Sequence, residues 1–305
     1  MKHKIFFFSI IFSVAFLTAK SQTIDELFIS GFTNLQNNKF SEAINDYTKV
    51  IAMKPDYSDA YFNRAIVYEK LEKFKEAIND YSQVITLKAD DANALLNRGM
   101  LYIEVNKPQN ALADFNKALE IKPDFTNVYY QRGLLYQGLG KDSAAMDDFH
   151  SFIVLLPESV QGYEALAKLY DEMEEYEAAI IIYTKIISID STYSNAYFNR
   201  AYDYDLITKT ENAIADYSKA IKFNGTYSDA YFNRAYIYNE INEFDKAIAD
   251  YGKVIELEPG IPDAYFNRGI AKINAGRKHD GCSDIQKAAS LGDKTAEKYC
   301  AVNCK

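Results

Sequence analysis

The nine residues YSDAYFNRA at 57–65 return unchanged at 227–235, and the near copies YSNAYFNRA and IPDAYFNRG begin at 193 and 261. The identical pair is 170 residues apart, five times 34, and the near copies fall on the same grid, so a 34-residue period governs the chain. Repeats then begin at Ile24, Ser58, Ala92, Thr126, Val160, Ser194, Ser228 and Pro262 with no insertion, filling residues 24–295. A catalytic centre needs its chemistry once. A repeating fold needs its packing residues in every unit.

Position 8 of the repeat is Gly31, Ala65, Gly99, Gly133, Ala167, Ala201, Ala235 and Gly269, always small, and position 20 is Ala in seven repeats and Gly281 in the last. Position 24 is large: Tyr47, Tyr81, Phe115, Phe149, Tyr183, Tyr217, Tyr251 and Ile285. Small residues at fixed places facing large ones are what two closely approaching helices need. Apolar positions 4, 8 and 11, and again 17, 20, 21, 24, 27 and 28, step by three and four, which predicts two amphipathic helices per repeat. Ser58, Thr126, Ser194 and Ser228 stand where the first helix is expected to be N-capped, and Pro55, Pro123, Pro157 and Pro259 at position 32 close the second. The low count of breakers, 13 Gly and 6 Pro, agrees with an all-α chain.

The period, the aromatic at 4, small at 8, Tyr at 11, Ala at 20, aromatic at 24 and Pro at 32 resemble the tetratricopeptide repeat. The resemblance implies a right-handed superhelical solenoid of helix-turn-helix repeats, with a concave groove lined by the first helix of each. In that family position 6 looks into the groove. Here it carries Asn63, Asn97, Gln131, Asn199, Asn233 and Asn267, which resembles the asparagine ladder of the tetratricopeptide superhelix in O-GlcNAc transferases. A side-chain amide offers a donor and an acceptor to an extended peptide backbone. Phe62, Tyr130, Phe198, Phe232 and Phe266 precede it at position 5 and would supply apolar pockets. The competing reading has these amides satisfied by a neighbouring helix. The carboxylate clamp of chaperone-binding members does not carry over, because position 2 is Asp, Asn or Gln and the required cations are missing.

Arg64, Arg98, Arg132, Arg200, Arg234 and Arg268 at position 7 accompany Asp80, Asp114, Asp148, Asp216, Asp250 and Asp284 at position 23. In the repeat at 160–193 both disappear together, as Leu166 and Ile182, which predicts one bridge per repeat, half-buried charges being usually paired. Asp46 faces Ser30 instead and breaks the rule. The repeat at 160–193 also carries an acidic run, Asp171 to Glu175, read as a solvated face, a seam between two half-arrays or a contact patch. Polar Asn34 and Lys272 at position 11 read as terminal faces meeting water.

Residues 1–21 join a basic start to an apolar run, Ile5 to Leu17, too short to span a bilayer, and end in small residues at Ala19 and Ser21: a signal peptide with cleavage before Gln22. An uncleaved anchor is the competing reading. Cleavage removes three lysines and no acid, moving the formal charge from -9 to -12. An acidic chain without a basic stripe argues against nucleic-acid binding, and no second apolar run calls for a transmembrane segment in the mature chain. Localisation is therefore expected to be export, to the periplasm or the outer-membrane or extracellular side of a bacterial envelope. The domain reading is 1–21 signal peptide, 22–291 repeat array and 292–305 capping helix.

The three cysteines, 282, 300 and 304, lie at the end. The tail from Gln286 resembles the helix junction of Sel1-like repeats, with a turn at Leu291-Gly292. Cys282 and Cys300 are each nine residues from Leu291 and would come level in antiparallel helices, so a Cys282–Cys300 disulfide is expected, with Cys304 free or intermolecular. His3, His150 and His279 lack helical-spaced co-ligands, and GxSxG, HExxH and a phosphate loop are missing, so neither a metal, a cofactor nor an enzyme is expected. The function expected is that of an adaptor or scaffold holding a partner protein or extended peptide in the groove. A structural spacer or self-assembling homo-oligomer without groove ligand, and a glycan or small-ligand binder, stay open.

Overall fold

In the computed structural model, residues 22–304 are described, and among them lie seventeen α-helices and no strand. The first helices of the eight repeats are α1 (Ile24–Gln36), α3 (Ser58–Lys70), α5 (Ala92–Glu104), α7 (Thr126–Gly138), α9 (Val160–Glu172), α11 (Ser194–Leu206), α13 (Ser228–Glu240) and α15 (Pro262–Asn274). The second helices are α2 (Phe40–Met53), α4 (Phe74–Leu87), α6 (Pro108–Ile121), α8 (Asp142–Leu155), α10 (Tyr176–Ile189), α12 (Thr210–Phe223), α14 (Phe244–Leu257) and α16 (Lys278–Ser290), and α17 (Lys294–Asn303) follows. The fold is an all-α repeat solenoid. Its chain falls into two compact units, one ending at Pro123 with α1–α6 and one starting at Asp124 with α7–α17. Residues 1–21, which carry the expected signal peptide, lie outside the described residues.

Within each unit the core is a run of similar clusters. Ala65, Ala77, Tyr81 and Val84 of the second repeat are closed by Ala94 and Leu101 of the third, and Ala201, Ala213, Tyr217 and Ala220 are closed by Ala230 and Ile237 in the same way. Positions 8, 20, 24 and 27 therefore complete their burial only against positions 3 and 10 of the next repeat. The small residues are small for the reason expected: a Cβ on Gly99 would lie 2.6 Å from the Phe115 ring, and one on Gly281 would lie 2.5 Å from the carbonyl oxygen of Gly269.

Position 15 turns the chain between the paired helices. It takes a left-handed φ of 55–80° in every repeat, at Asn38, Glu72, Asn106, Gly140, Glu174, Thr208, Asn242 and Gly276. The following amide reaches back to the position-11 carbonyl, as from Lys73 to Tyr68 at 2.9 Å, which closes a Schellman-type end.

The expected caps are corrected. Ser58, Thr126, Ser194 and Ser228 are the first helical residues rather than N-caps, and the caps before them, Tyr57, Phe125, Tyr193 and Tyr227, make no side-chain capping bond. Packing decides this. Tyr57 and Tyr227 at position 34 join the core and meet the Phe28 and Phe198 rings at 5.3 and 4.7 Å, so the small serine falls inside the first turn. Side-chain caps occur where the position before the helix is free of that duty, at Thr23, Asp91 and Asp293.

The disulfide is also corrected: Cys282 pairs with Cys304, not Cys300, at a Cα–Cα distance of 5.4 Å. Helix α16 ends at Ser290 and α17 begins at Lys294, so the axis of the hairpin is residue 292 and Cys282 comes level with Val302. Cys300 and Cys304 are then equally offset by two residues, about 3 Å. Cys300 packs on the Ile285, Ala288 and Ala296 cluster, while Cys304 is the C-cap, just past the last helical residue, and turns to Cys282. Peptide mapping of the unreduced chain is expected to show alkylation at Cys300 alone. Loss of the bridge in Cys304→Ser should cost about 3 kcal/mol for a loop of this length, and Cys300→Ser should leave it intact.

Candidate binding face and a buried carboxyl pair

The recurring charges form structural bridges. Arg64 donates through Nε and Nη2 to both carboxylate oxygens of Asp80 at 2.7 and 2.8 Å, and the same fork joins Arg98 to Asp114, Arg132 to Asp148, Arg200 to Asp216, Arg234 to Asp250 and Arg268 to Asp284. The remaining nitrogen, Nη1, reaches a hydroxyl of the preceding repeat: Arg64 to Thr48, Arg98 to Ser82, Arg200 to Thr184 and Arg234 to Ser218, at 2.7–3.0 Å. Those hydroxyls at position 25 are a recurrent Ser or Thr that pattern reading passed over. Arg64, Arg98, Arg200 and Arg234 thus tie their own two helices together and their repeat to the one before.

The apparent exception is satisfied differently. Asp46 accepts from the Ser30 hydroxyl at 2.7 Å and from the Asn34 amide at 3.0 Å, and Asp284 takes the Lys272 ammonium at 2.7 Å besides Arg268. Asn34 and Lys272 are polar to serve these aspartates, not because their faces meet water, which corrects the terminal-face reading.

Every candidate groove residue, Phe62, Asn63, Asn97, Tyr130, Gln131, Phe198, Asn199, Phe232, Asn233, Phe266 and Asn267, is half-buried. The rings at position 5 are partly consumed by packing: Phe62 meets Tyr81 at 5.3 Å, Tyr130 meets Phe149 at 6.2 Å, Phe198 meets Tyr217 at 5.6 Å and Phe232 meets Tyr251 at 5.3 Å. The amides at position 6 are partly consumed as well. Asn97 donates to the Tyr81 hydroxyl at 3.0 Å and Asn233 to that of Tyr217 at 3.3 Å, while Asn63 turns to the Asp59 carbonyl of its own helix at 2.8 Å. In Asn97 and Asn233 that bond uses one of the two amide N–H groups. Position 2 adds Asp59, bound to Lys88 at 2.9 Å, and Asp229 and Asp263, so the face offers acceptors and few cations.

The hydroxyl at position 24 explains a second pattern. Tyr81, Tyr183, Tyr217 and Tyr251 occur with Glu69, Asp171, Asp205 and Asn239 at position 12 of the same repeat, whereas Phe115 stands with Ile103. A buried phenol requires a polar neighbour. Tyr47, whose position 12 is Leu35, has an unpartnered buried hydroxyl, and burial and Asp46 push it up to about 12.

At the seam between the fifth and sixth repeats this network gains a carboxyl. Tyr183 donates to Asp171 Oδ2 at 2.6 Å, and Asp203 of α11 lies against the Asp171 carboxyl. Asp203 is 1% exposed, and its Oδ2 and Asp171 Oδ1 are both buried without a donor. Two adjoining cavities open here, of about 350 and 310 Å³, and both are lined by Asp171 and Asn199. Burial first, and the Asp171 carboxyl second, push Asp203 up to about 8, so one proton is shared across the pair at neutral pH. The acidic run proposed as a solvated face, seam or contact patch therefore supplies one half-buried member, Asp171, whose Oδ1 is sealed from solvent, and exposed members, Glu172, Glu174 and Glu175. No group of three or more His, Cys, Asp or Glu able to hold a metal occurs among the described residues, and none of their helices is long and apolar enough to cross a membrane.

Models of the tetratricopeptide repeat match residues 58–91, 92–125, 228–260 and 160–193, and a model described as TPR repeat matches 34–72. Among solved structures, the MamA protein is 27% identical with a TM-score of 0.52, over 56% of this chain and 94% of that one. The C-terminal part of a TPR repeat-containing protein from Cytophaga hutchinsonii is 20% identical with a TM-score of 0.71, over 79% and 98%. YrrB, described as a TPR protein with an unusual peptide-binding site, is 17% identical with a TM-score of 0.53, over 61% and 97%. No curated protein matches the chain at a significant level.

Proposed function

The chain belongs to the tetratricopeptide repeat proteins, and on that premise we propose that it is an interaction scaffold whose first-helix face receives an extended, donor-rich segment of a partner protein. The observation that carries this reading is the recurrence of half-buried amides at position 6. Asn63, Asn97, Asn199, Asn233 and Asn267 are all half-buried beside position-5 side chains, and in Asn97 and Asn233 a bond to a tyrosine hydroxyl fixes the amide while one of its two N–H groups is still free of that bond. Amides that recur at the 34-residue period, each with a donor and an acceptor, suit the N–H and C=O groups of an extended peptide backbone. Acidic position 2 and the net charge of -9 favour a basic segment by long-range attraction. The leader-like residues 1–21 support export, and with it a partner in the bacterial envelope.

Peptides selected from a random displayed library on the purified chain are expected to be extended and enriched in Lys or Arg. The combined change Asn199→Ala, Asn233→Ala and Asn267→Ala should weaken them at least tenfold while helical circular dichroism stays unchanged. Equal binding by the triple variant would sink the reading.

A further inference from the structure

Position 10 closes the core of the preceding repeat at Val67, Leu101, Leu169, Ile237 and Ala271, and its residue in the fourth repeat, Leu135, is aliphatic too. Asp203 holds that place in the sixth repeat and is as buried as the residues it replaces. Two carboxyls that line one cavity in such a place, each with a buried oxygen lacking a donor, are relieved in only two ways: by a proton between them or by a cation.

The surroundings narrow the choice of cation. From α9 come Asp171, Glu172 and Lys168, from the following turn Glu174, from α10 Tyr176 and Tyr183, from α11 Tyr202 and Asp205, and from α12 Tyr217. Lys168, the cation in this set, is 71% exposed and lies 3.8 Å from Glu172, so it does not neutralise the pair. Calcium takes about six to eight oxygens, more than two carboxyls and an amide supply. A guanidinium prefers both oxygens of one carboxylate in its fork, and here Asp171 Oδ2 is already occupied by Tyr183. A primary ammonium has three donors on one point, which fits Asp171 Oδ1, Asp203 Oδ2 and the Asn199 amide. The cavity of about 310 Å³ changes character from its floor outwards. Buried Asp203 and half-buried Asn199 give way to exposed Tyr202 and Leu206, surfaces on which a methylene stem can lie, and to exposed Glu172 and Glu174.

We infer that the seam between α9–α10 and α11 is a lysine pocket: it receives the ammonium group of a lysine side chain on the bound segment, with Asp171 and Asp203 as joint counter-charge. This rests on the reading of the array as a peptide-binding scaffold. No bond to nitrogen is made or broken. As the ammonium enters, the proton shared by the carboxyls leaves for solvent, so the charge of the site is the same before and after.

Calorimetric titration of the full chain with N-acetyl-lysine methylamide, in two buffers of different ionisation heat at pH 6, 7 and 8, reads this directly. Saturable binding is expected, with close to one proton released and affinity rising roughly tenfold per pH unit up to about pH 8. Asp203→Asn keeps the shape of the side chain and a donor for Asp171, so it folds, and it should cut affinity at least tenfold. No saturable binding at pH 8 overturns the inference, as does binding that Asp203→Asn leaves unchanged or that N-acetyl-norleucine methylamide reproduces. Cadaverine bound in place of the lysine amide overturns the assignment to a peptide side chain, and preference for calcium or methylguanidinium overturns the chemical class. The amide probe reads the pocket alone, so its failure is separable from failure of the selected peptides to depend on the asparagines.

Discussion

Replacing Asp203 with leucine is expected to raise the stability of the second compact unit by several kcal/mol at pH 8 and by much less at pH 5. The cause is the proton. An unfolded aspartate releases it near pH 4, while folded Asp203 holds it up to about 8. Between those values the native state binds more protons than the unfolded one, so its stability falls as pH rises, by at most about 1.4 kcal/mol per unit for one group. Stability is therefore fullest near pH 4 with respect to this group and is lost on the way to pH 8. Leucine restores the aliphatic pattern of position 10 and removes the titration. Urea midpoints at pH 5, 6.5 and 8 check it: a downward slope in the parent chain and a flatter one in the variant are expected. Parallel slopes in the two proteins would show that Asp203 does not hold the proton. A gain in stability at the loss of amine binding would also mark Asp203 as a residue retained for ligand rather than for fold.

The period made the fold legible because a solenoid repeats its packing. Gly99 against Phe115 is the same event as Ala65 against Tyr81, and eight samplings of it separate small from large without further knowledge. The bridges were legible for the same reason, Arg and Asp being lost together at Leu166 and Ile182. What stayed hidden departs from the repeat in a single place. Asp203 stands out only as the one polar residue at a position that is aliphatic in six other repeats, a departure that the recurring letters do not mark. Its partner, Asp171, was seen, but in a linear run of acids, where nothing tells which member turns inward. The position-6 ladder was visible as residues, whereas the bonds from Asn97 to Tyr81 and from Asn233 to Tyr217 depend on a contact between repeats that the period does not reveal. The cysteine pairing turned on one residue in the placement of a turn, the scale at which helix ends are least predictable.

Removing Asp250 alone should cost more than removing it together with its partner. Arg234 has a side chain only 16% exposed, forks onto Asp250 at 2.8 and 2.9 Å, and lies over the Tyr231 and Tyr238 rings at 5.8 and 5.7 Å. In Asp250→Ala the guanidinium stays among those rings with one hydroxyl, Ser218, in place of a counter-ion, a loss of about 3 kcal/mol. Arg234→Leu alone strands the buried carboxylate and should cost a similar amount. The fifth repeat already contains the alternative, Leu166 with Ile182, packed in the Phe149 cluster. Transplanting it as Arg234→Leu with Asp250→Ile should therefore recover most of the loss, leaving the double variant within about 1 kcal/mol of the parent. The coupling between the two sites, read from urea unfolding of the four proteins, is expected to be about 2 kcal/mol or more. Single effects that simply add would mean that the bridge contributes little, and that the joint loss in the fifth repeat has another cause. A double variant that is stable but holds selected peptides less well would instead show that the fork onto Asp250 and the tie to Ser218 fix the orientation of the first-helix face, beyond closing the core.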